Sequence, residues 1–137
     1  PEVGDMSSTH SANPLVCSVG LATINVMNSS KFLKSLNINC NLFNEKLNDI
    51  QLLNHERIKI FGKGMMKAII FYDKDGKPDI KTTNKVVDEL LLMGLLVVKT
   101  GRESIKLGPP LNIRKRNLEK GLIILKNSIK KVLDDTL

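Results

Sequence analysis

Two segments of this 137-residue chain bring together residue types that can do chemistry. Ser7-Ser8-Thr9-His10-Ser11-Ala12-Asn13-Pro14 is rich in hydroxyls and small residues and runs directly into an apolar helical pattern. Hydroxyls, the unpaired amides of a first helical turn and the helix dipole together suit an anion such as phosphate. Taken alone, a Ser/Asn capping run that holds no ligand is the simpler account. The second segment, Ser104-Ile105-Lys106-Leu107-Gly108-Pro109-Pro110-Leu111, reads as a strand stopped by a double proline. With Ile105 and Leu107 on one side, Lys106 points to the other, where it meets either a carboxylate or solvent.

The remaining candidates carry less. His10 and His55 have no carboxylate or cysteine at a spacing that suggests a metal site or triad, so both read as surface or capping residues and no metal is expected. Gly62-Lys63-Gly64 lacks the further glycine and the Lys-Ser/Thr end of a phosphate loop and reads as a bend between strands. Asp73-Lys74-Asp75-Gly76-Lys77-Pro78 is a turn by composition, since the glycine and final glutamate of a calcium loop are misplaced. Cys17 and Cys40, the only cysteines, lie in apolar helical settings and are expected to be buried free thiols.

The elements that must position these residues follow from periodicity. After Asn13-Pro14, Leu15, Val19, Ala22 and Val26 recur at helical spacing to about Met27. Asn28-Ser29-Ser30 breaks the pattern, and Phe32, Leu36, Cys40, Phe43, Leu47 and Ile50 form a second helical stripe to about Leu53. Short β-branched and aromatic runs at Ile58 to Phe61 and Met66 to Phe71 predict strands. Thr82 or Thr83 is expected to cap a helix carrying Val86, Val87, Leu90 and Leu91, with Gly94 as its left-handed terminator. Strands at Leu95 to Lys99 and Ser104 to Leu107 follow, and a last helix from about Arg114 carries Leu118, Leu122, Leu125, Ile129 and Val132. The order predicts an α+β fold, with helices on one face of a mainly antiparallel sheet. Strand order is not readable from the pattern.

Composition sets outer bounds. With 42% apolar and 26% charged residues the chain has the balance of an ordinary folded domain. Its net charge of +7 is spread along the chain, and with one Tyr and no Trp there is little aromatic surface for stacking bases, so no nucleic-acid partner is expected. No apolar run is long enough to span a bilayer and no secretory signal is evident, which gives a cytoplasmic protein with no membrane partner as the expectation. The first residue is Pro1, and the chain reads as a piece of something longer.

Both chemical segments, in this order and separation, resemble the class III aminotransferases of pyridoxal-phosphate fold type I. Thr9 to Ala22, THSANPLVCSVGLA, is similar to the family's TFSGNPLACAAALA, with Ala12 in place of the usual glycine. Phe61 to Met66, FGKGMM, resembles RGxGLM. Leu92 to Leu96, LMGLL, resembles the family's helix-to-strand junction, and Ser104 to Leu111 its strand ending in APPL. The relatives include 4-aminobutyrate and ornithine aminotransferases and glutamate-1-semialdehyde aminomutase.

The resemblance implies a homodimeric enzyme using pyridoxal 5'-phosphate, with an amine or amino-acid donor and a 2-oxo acid acceptor. It implies that residues 1–14 end a large cofactor domain, 15–55 form the linker and second helices, and 56–137 form a small C-terminal domain. Ser8 and Thr9 would bind the cofactor phosphate of the partner subunit's site. Lys106 matches the position where many members carry an arginine that grips the substrate carboxylate. Arginine offers a planar fork for two parallel hydrogen bonds and lysine only a point charge, so the usual clamp is altered.

The family's covalent cofactor lysine lies upstream of the hydroxyl-rich segment, and no lysine precedes Lys31 here. The resemblance therefore implies no catalytic residue in this chain and no turnover by the 137 residues alone. An aminomutase of the same family, or a non-catalytic binding or regulatory module with the small-domain fold, are the alternatives. The first helix is expected to leave an apolar face open to self-association.

Overall fold

A computed structural model describes residues 12–101 and 103–135. The chain divides into two compact units, Pro1–Ser35 and Leu36–Leu137.

In the first unit, helix α1 spans Pro14–Met27. Its start follows the sequence expectation: Asn13 is the cap, accepting from the amides of Leu15 and Val16, and Pro14 occupies the first turn. None of its residues is buried; Leu15, Val19 and Ile24 are all exposed. Cys17 is therefore an exposed thiol rather than a buried one, and Cys40 is half-buried; both are free.

Helix α2, Ser30–Gln51, starts in the first unit and continues into the second, where Phe43, Leu47 and Ile50 enter the core. Strands β1 (Ile58–Lys63) and β2 (Met66–Phe71) form a hairpin in which Gly62 and Lys63 belong to the strand and the chain reverses at Gly64-Met65. Gly64 has a φ of 57° and Gly62 of 116°, conformations that a side chain penalises. The Asp73–Pro78 turn forms as expected, with Asp73 Oδ1 accepting from Asp75 N and Lys77 N.

Helix α3 spans Ile80–Leu92. Its cap is Asp79, not Thr82 or Thr83, which lie buried inside the first turns. The carboxylate takes the position because it accepts from both the amide and the hydroxyl of Thr82, at 2.9 and 2.6 Å. The helix ends as expected at Gly94 (φ 79°): Leu95 N–H reaches Leu90 O and Gly94 N–H reaches Leu91 O, the paired bonds of a Schellman motif.

Strand β3 is shorter than the sequence suggests, Val98–Lys99 rather than Leu95 to Lys99. It pairs with β4 (Ser104–Leu107), and helix α4 (Lys115–Asp134) closes the chain. All strand pairs are antiparallel in the order β1-β2-β4-β3. Helices α3 and α4 pack on one another, and α3 lies on β2 and β4. Ile58, Ile69, Phe71, Ile105 and Leu107 from the sheet are buried with Val86 and Leu90 of α3 and Leu118, Leu122, Leu125, Ile129 and Val132 of α4. The α+β fold with helices on one sheet face is thus the one the periodicity predicts.

Candidate functional site

The two sheet faces differ sharply. Partners in the ladder share a face, and the register places Phe61, Ala68, Lys106 and Val98 in one row across the four strands, on the side opposite the core. Phe61, Lys106 and Val98 are exposed and Ala68 is half-buried. Lys106 therefore stands where the strand alternation puts it. Among the described residues its ammonium has no hydrogen-bond or ion-pair partner, and no described strand residue on this face carries a carboxylate.

Strand β3 begins only at Val98. Continuing the register of Val98 with Lys106 would set Val97 against Leu107, Leu96 against Gly108 and Leu95 against Pro109. Leu95 N–H is instead committed to Leu90 O, in the turn that ends α3. Residues 95–97 peel away, opening a groove of about 280 Å³. Its walls are Leu95 to Val97 and Gly108 to Pro110, its floor is Leu118, Gly121 and Leu122 of α4, and Lys106 lines it as well.

The far rim is tied down from α2. Buried Asn39 donates from Nδ2 to the Ile113 carbonyl at 2.8 Å, across 74 positions of sequence. This bond holds the segment that follows the double proline and leads into α4.

At the other predicted segment, Ser8, Thr9 and His10 lie outside the described residues. What is described is the start of α1, and there the free amides expected for an anion are not available. Pro14 has no N–H, Leu15 and Val16 donate to Asn13 Oδ1, and Cys17 donates to Asn13 O. Any phosphate seat here depends on the residues before Ala12. Ala12 itself has a φ of 58°, in the left-handed region that glycine prefers. His55 is exposed, as expected of a surface residue, and among the described residues no cluster could hold a metal ion.

One cluster was not anticipated from the sequence. Arg57, just before β1, donates from Nε to Tyr72 O and from Nη2 to Asp79 Oδ2, both at 3.2 Å. Burial alone would push the Asp79 carboxyl up, but the Thr82 hydroxyl and amide and the Arg57 guanidinium outweigh it and hold its pKa below the usual value. The legible signal was Pro78-Asp79 ahead of an apolar helical run; the arginine partner, 22 positions away, had none.

Comparison with known proteins is consistent across sequence and structure. Residues 1–129 match the family model described as Aminotransferase class-III. The mitochondrial acetylornithine aminotransferase of Saccharomyces cerevisiae is 28% identical over 131 residues, covering 95% of this chain and 29% of that protein. An alanine/serine racemase of Pyrococcus horikoshii is 28% identical over 143 residues, covering 96% of this chain and 29% of that protein. The crystal structure of acetylornithine aminotransferase from Elizabethkingia anophelis superposes with a TM-score of 0.74 at 27% identity, covering 96% of this chain and 33% of that one. The chain thus spans about three tenths of the length of the relatives it matches.

Proposed function

The chain belongs to the class III aminotransferases, and on that premise we propose that the protein containing it moves an amino group from an amine or amino acid to a 2-oxo acid with pyridoxal 5'-phosphate. Residues 1–14 would end the large cofactor domain, 15–55 the linker and second helices, and 56–137 the small domain, in a cytoplasmic homodimer. Ser8 and Thr9 would hold the cofactor phosphate of the partner subunit's site. The cofactor supplies the electron sink that lets a proton leave the amine-bearing carbon. The part played by this chain is to seat, orient and enclose.

The observation that carries the reading is Lys106. It is a strand lysine on the uncovered sheet face, without a partner among the described residues, at the position that the family resemblance ties to the substrate carboxylate. A point charge at that place binds one carboxylate oxygen, where arginine binds two. No described residue favours the aminomutase alternative.

The test is amino transfer by the longer protein, assayed with and without an added 2-oxo acid. Transfer that depends on the acceptor is expected. Conversion without any acceptor would instead support the mutase, and no conversion at all would support a binding module. The 137-residue chain alone is expected to show no turnover.

A further inference from the structure

The strand order makes β1 and β3 the outermost strands of the sheet. An edge strand presents N–H and C=O groups that a strand of another molecule can join. β3 has only two residues and offers little to pair with, whereas β1 has six, with isoleucines and a phenylalanine that suit strand pairing. The ladder continues at Arg57, whose carbonyl accepts from Tyr72 N–H. Lys59, Phe61 and Lys63 therefore bond to β2, and the backbone groups of Ile58, Ile60 and Gly62 face outward. Each of these three residues is already engaged on that side. Ile58 N–H donates to Asn54 O at 2.8 Å, and Gly62 O accepts from Lys67 Nζ at 3.2 Å. Ile60 N–H, between them, donates to Oε1 of Gln51, the last residue of α2, at 3.1 Å.

We propose that Gln51 is a lock on this edge, whose side chain keeps a second copy of the chain from adding its own β1 to the sheet. Unlocked, the edge is self-complementary. Antiparallel pairing about a two-fold axis at Ile60 would set Ile60 against its copy, Ile58 against Gly62 and Lys59 against Phe61. Lys63 would meet Arg57, whose charge Asp79 already takes up. No lysine then opposes a lysine, and Lys59 would lie beside the exposed ring of Phe61. The lysines that ordinarily blunt an edge fail against this register, so the protection falls to the central donor. Gly62 O is covered only by an exposed lysine bond, whereas Gln51 is half-buried and held at the end of a helix. A carboxamide suits the place, because it accepts from the N–H without bringing a charge to a half-buried position. The inference is independent of the amino-transfer reading.

Light scattering and amide exchange of the 137-residue chain provide the test. Gln51→Leu, which keeps the bulk and removes the acceptor, should self-associate at least tenfold more tightly than wild type. Gln51→Glu, which keeps an acceptor, should associate as wild type does. Phe61→Lys added to Gln51→Leu places a second ammonium opposite Lys59 and should return association to the wild-type level. Self-association through the exposed apolar residues of α1 is common to all these chains and cancels in the comparison. Equal association by wild type and Gln51→Leu, or association that Phe61→Lys leaves untouched, would overturn the proposal. Should Gln51→Leu fail to fold, the wild-type chain still decides. Its Ile60 amide should exchange at least tenfold more slowly than that of Lys99, which faces outward from β3 with no partner among the described residues. An Ile60 amide that exchanges as fast as Lys99 overturns the lock.

Discussion

Arg57 Nη2 lies 3.2 Å from Asp79 Oδ2, with both side chains less than a fifth exposed. The pair joins the residue that precedes the sheet to the cap of α3, and α3 is the helix that covers β2 and β4. Asp79 thereby serves two elements at once: it caps the helix through Thr82 and neutralises the arginine that ties down Tyr72. Asp79→Ala removes a cap worth about 1 kcal/mol and strands a largely buried guanidinium, so a loss of about 2–3 kcal/mol is expected. Urea unfolding of the two chains measures it, and a loss below about 1 kcal/mol would sink the double role.

The same carboxyl sets an acid limit. Its folded pKa lies below its unfolded value, so its contribution is complete above roughly pH 4, near the unfolded carboxyl value, and fades as pH falls through the folded pKa. The stability gap between the wild-type chain and Asp79→Asn should therefore narrow on acidification below about pH 4. A gap that stays constant from pH 6 to pH 3 would contradict it.

The hairpin glycines separate two kinds of cost. At Gly62 an added Cβ would meet Met66 O at 2.2 Å, a backbone atom that cannot move without opening the β1–β2 ladder, whereas at Gly64 nothing lies within 4 Å. Gly64→Ala should lose only the left-handed strain of about 1–2 kcal/mol. Gly62→Ala should lose clearly more, or prevent folding. Thermal melts of both variants would show this, and equal melting temperatures would refute the clash.

How far the sequence went is clear from such positions. Elements with a periodic apolar stripe were legible, because burial of Leu118, Leu122, Leu125 and Ile129 on one face of α4 is a repeat any reader can follow. The alternation that set Lys106 opposite Ile105 and Leu107 was legible for the same reason. What was not legible came from distance. Arg57 gives no local sign of Asp79, and Asn39 none of Ile113. The turn that ends α3 takes Leu95 N–H to Leu90 O, and the groove appears only where residues 95–97 leave the strand. Of the candidate site, Lys106 could be placed and its surroundings could not. Ser8 and Thr9 lie outside the described residues.

Ala12 offers a test at the first segment. It holds a φ of 58° directly before the cap of α1, where the family's usual residue is glycine. An L-residue there carries about 1–2 kcal/mol of strain, while glycine adds conformational entropy to the unfolded chain worth about 0.5–1 kcal/mol. Ala12→Gly should accordingly stabilise α1 by roughly 0.5–1 kcal/mol. Amide exchange at Val16 to Gly20 is the measurement; faster exchange in the glycine variant would mean that the strain is absent.

Lys106 itself separates binding from folding. The side chain is exposed and has no hydrogen-bond or ion-pair partner among the described residues, so Lys106→Met should leave the stability of this chain within about 0.5 kcal/mol of wild type. If Lys106 holds the substrate carboxylate of the longer protein, as proposed, the same change would remove a charge-assisted hydrogen bond worth about 1.5–3 kcal/mol, and KM for that substrate should rise roughly 10- to 100-fold. Lys106→Arg should move KM the other way, because the guanidinium reaches both carboxylate oxygens. An amine donor without a carboxylate should be far less sensitive to either change in its own half-reaction, since it presents no anion for the cation to hold. If Lys106→Met lowers kcat for donor and acceptor alike while both KM values stay fixed, the residue is not a carboxylate contact.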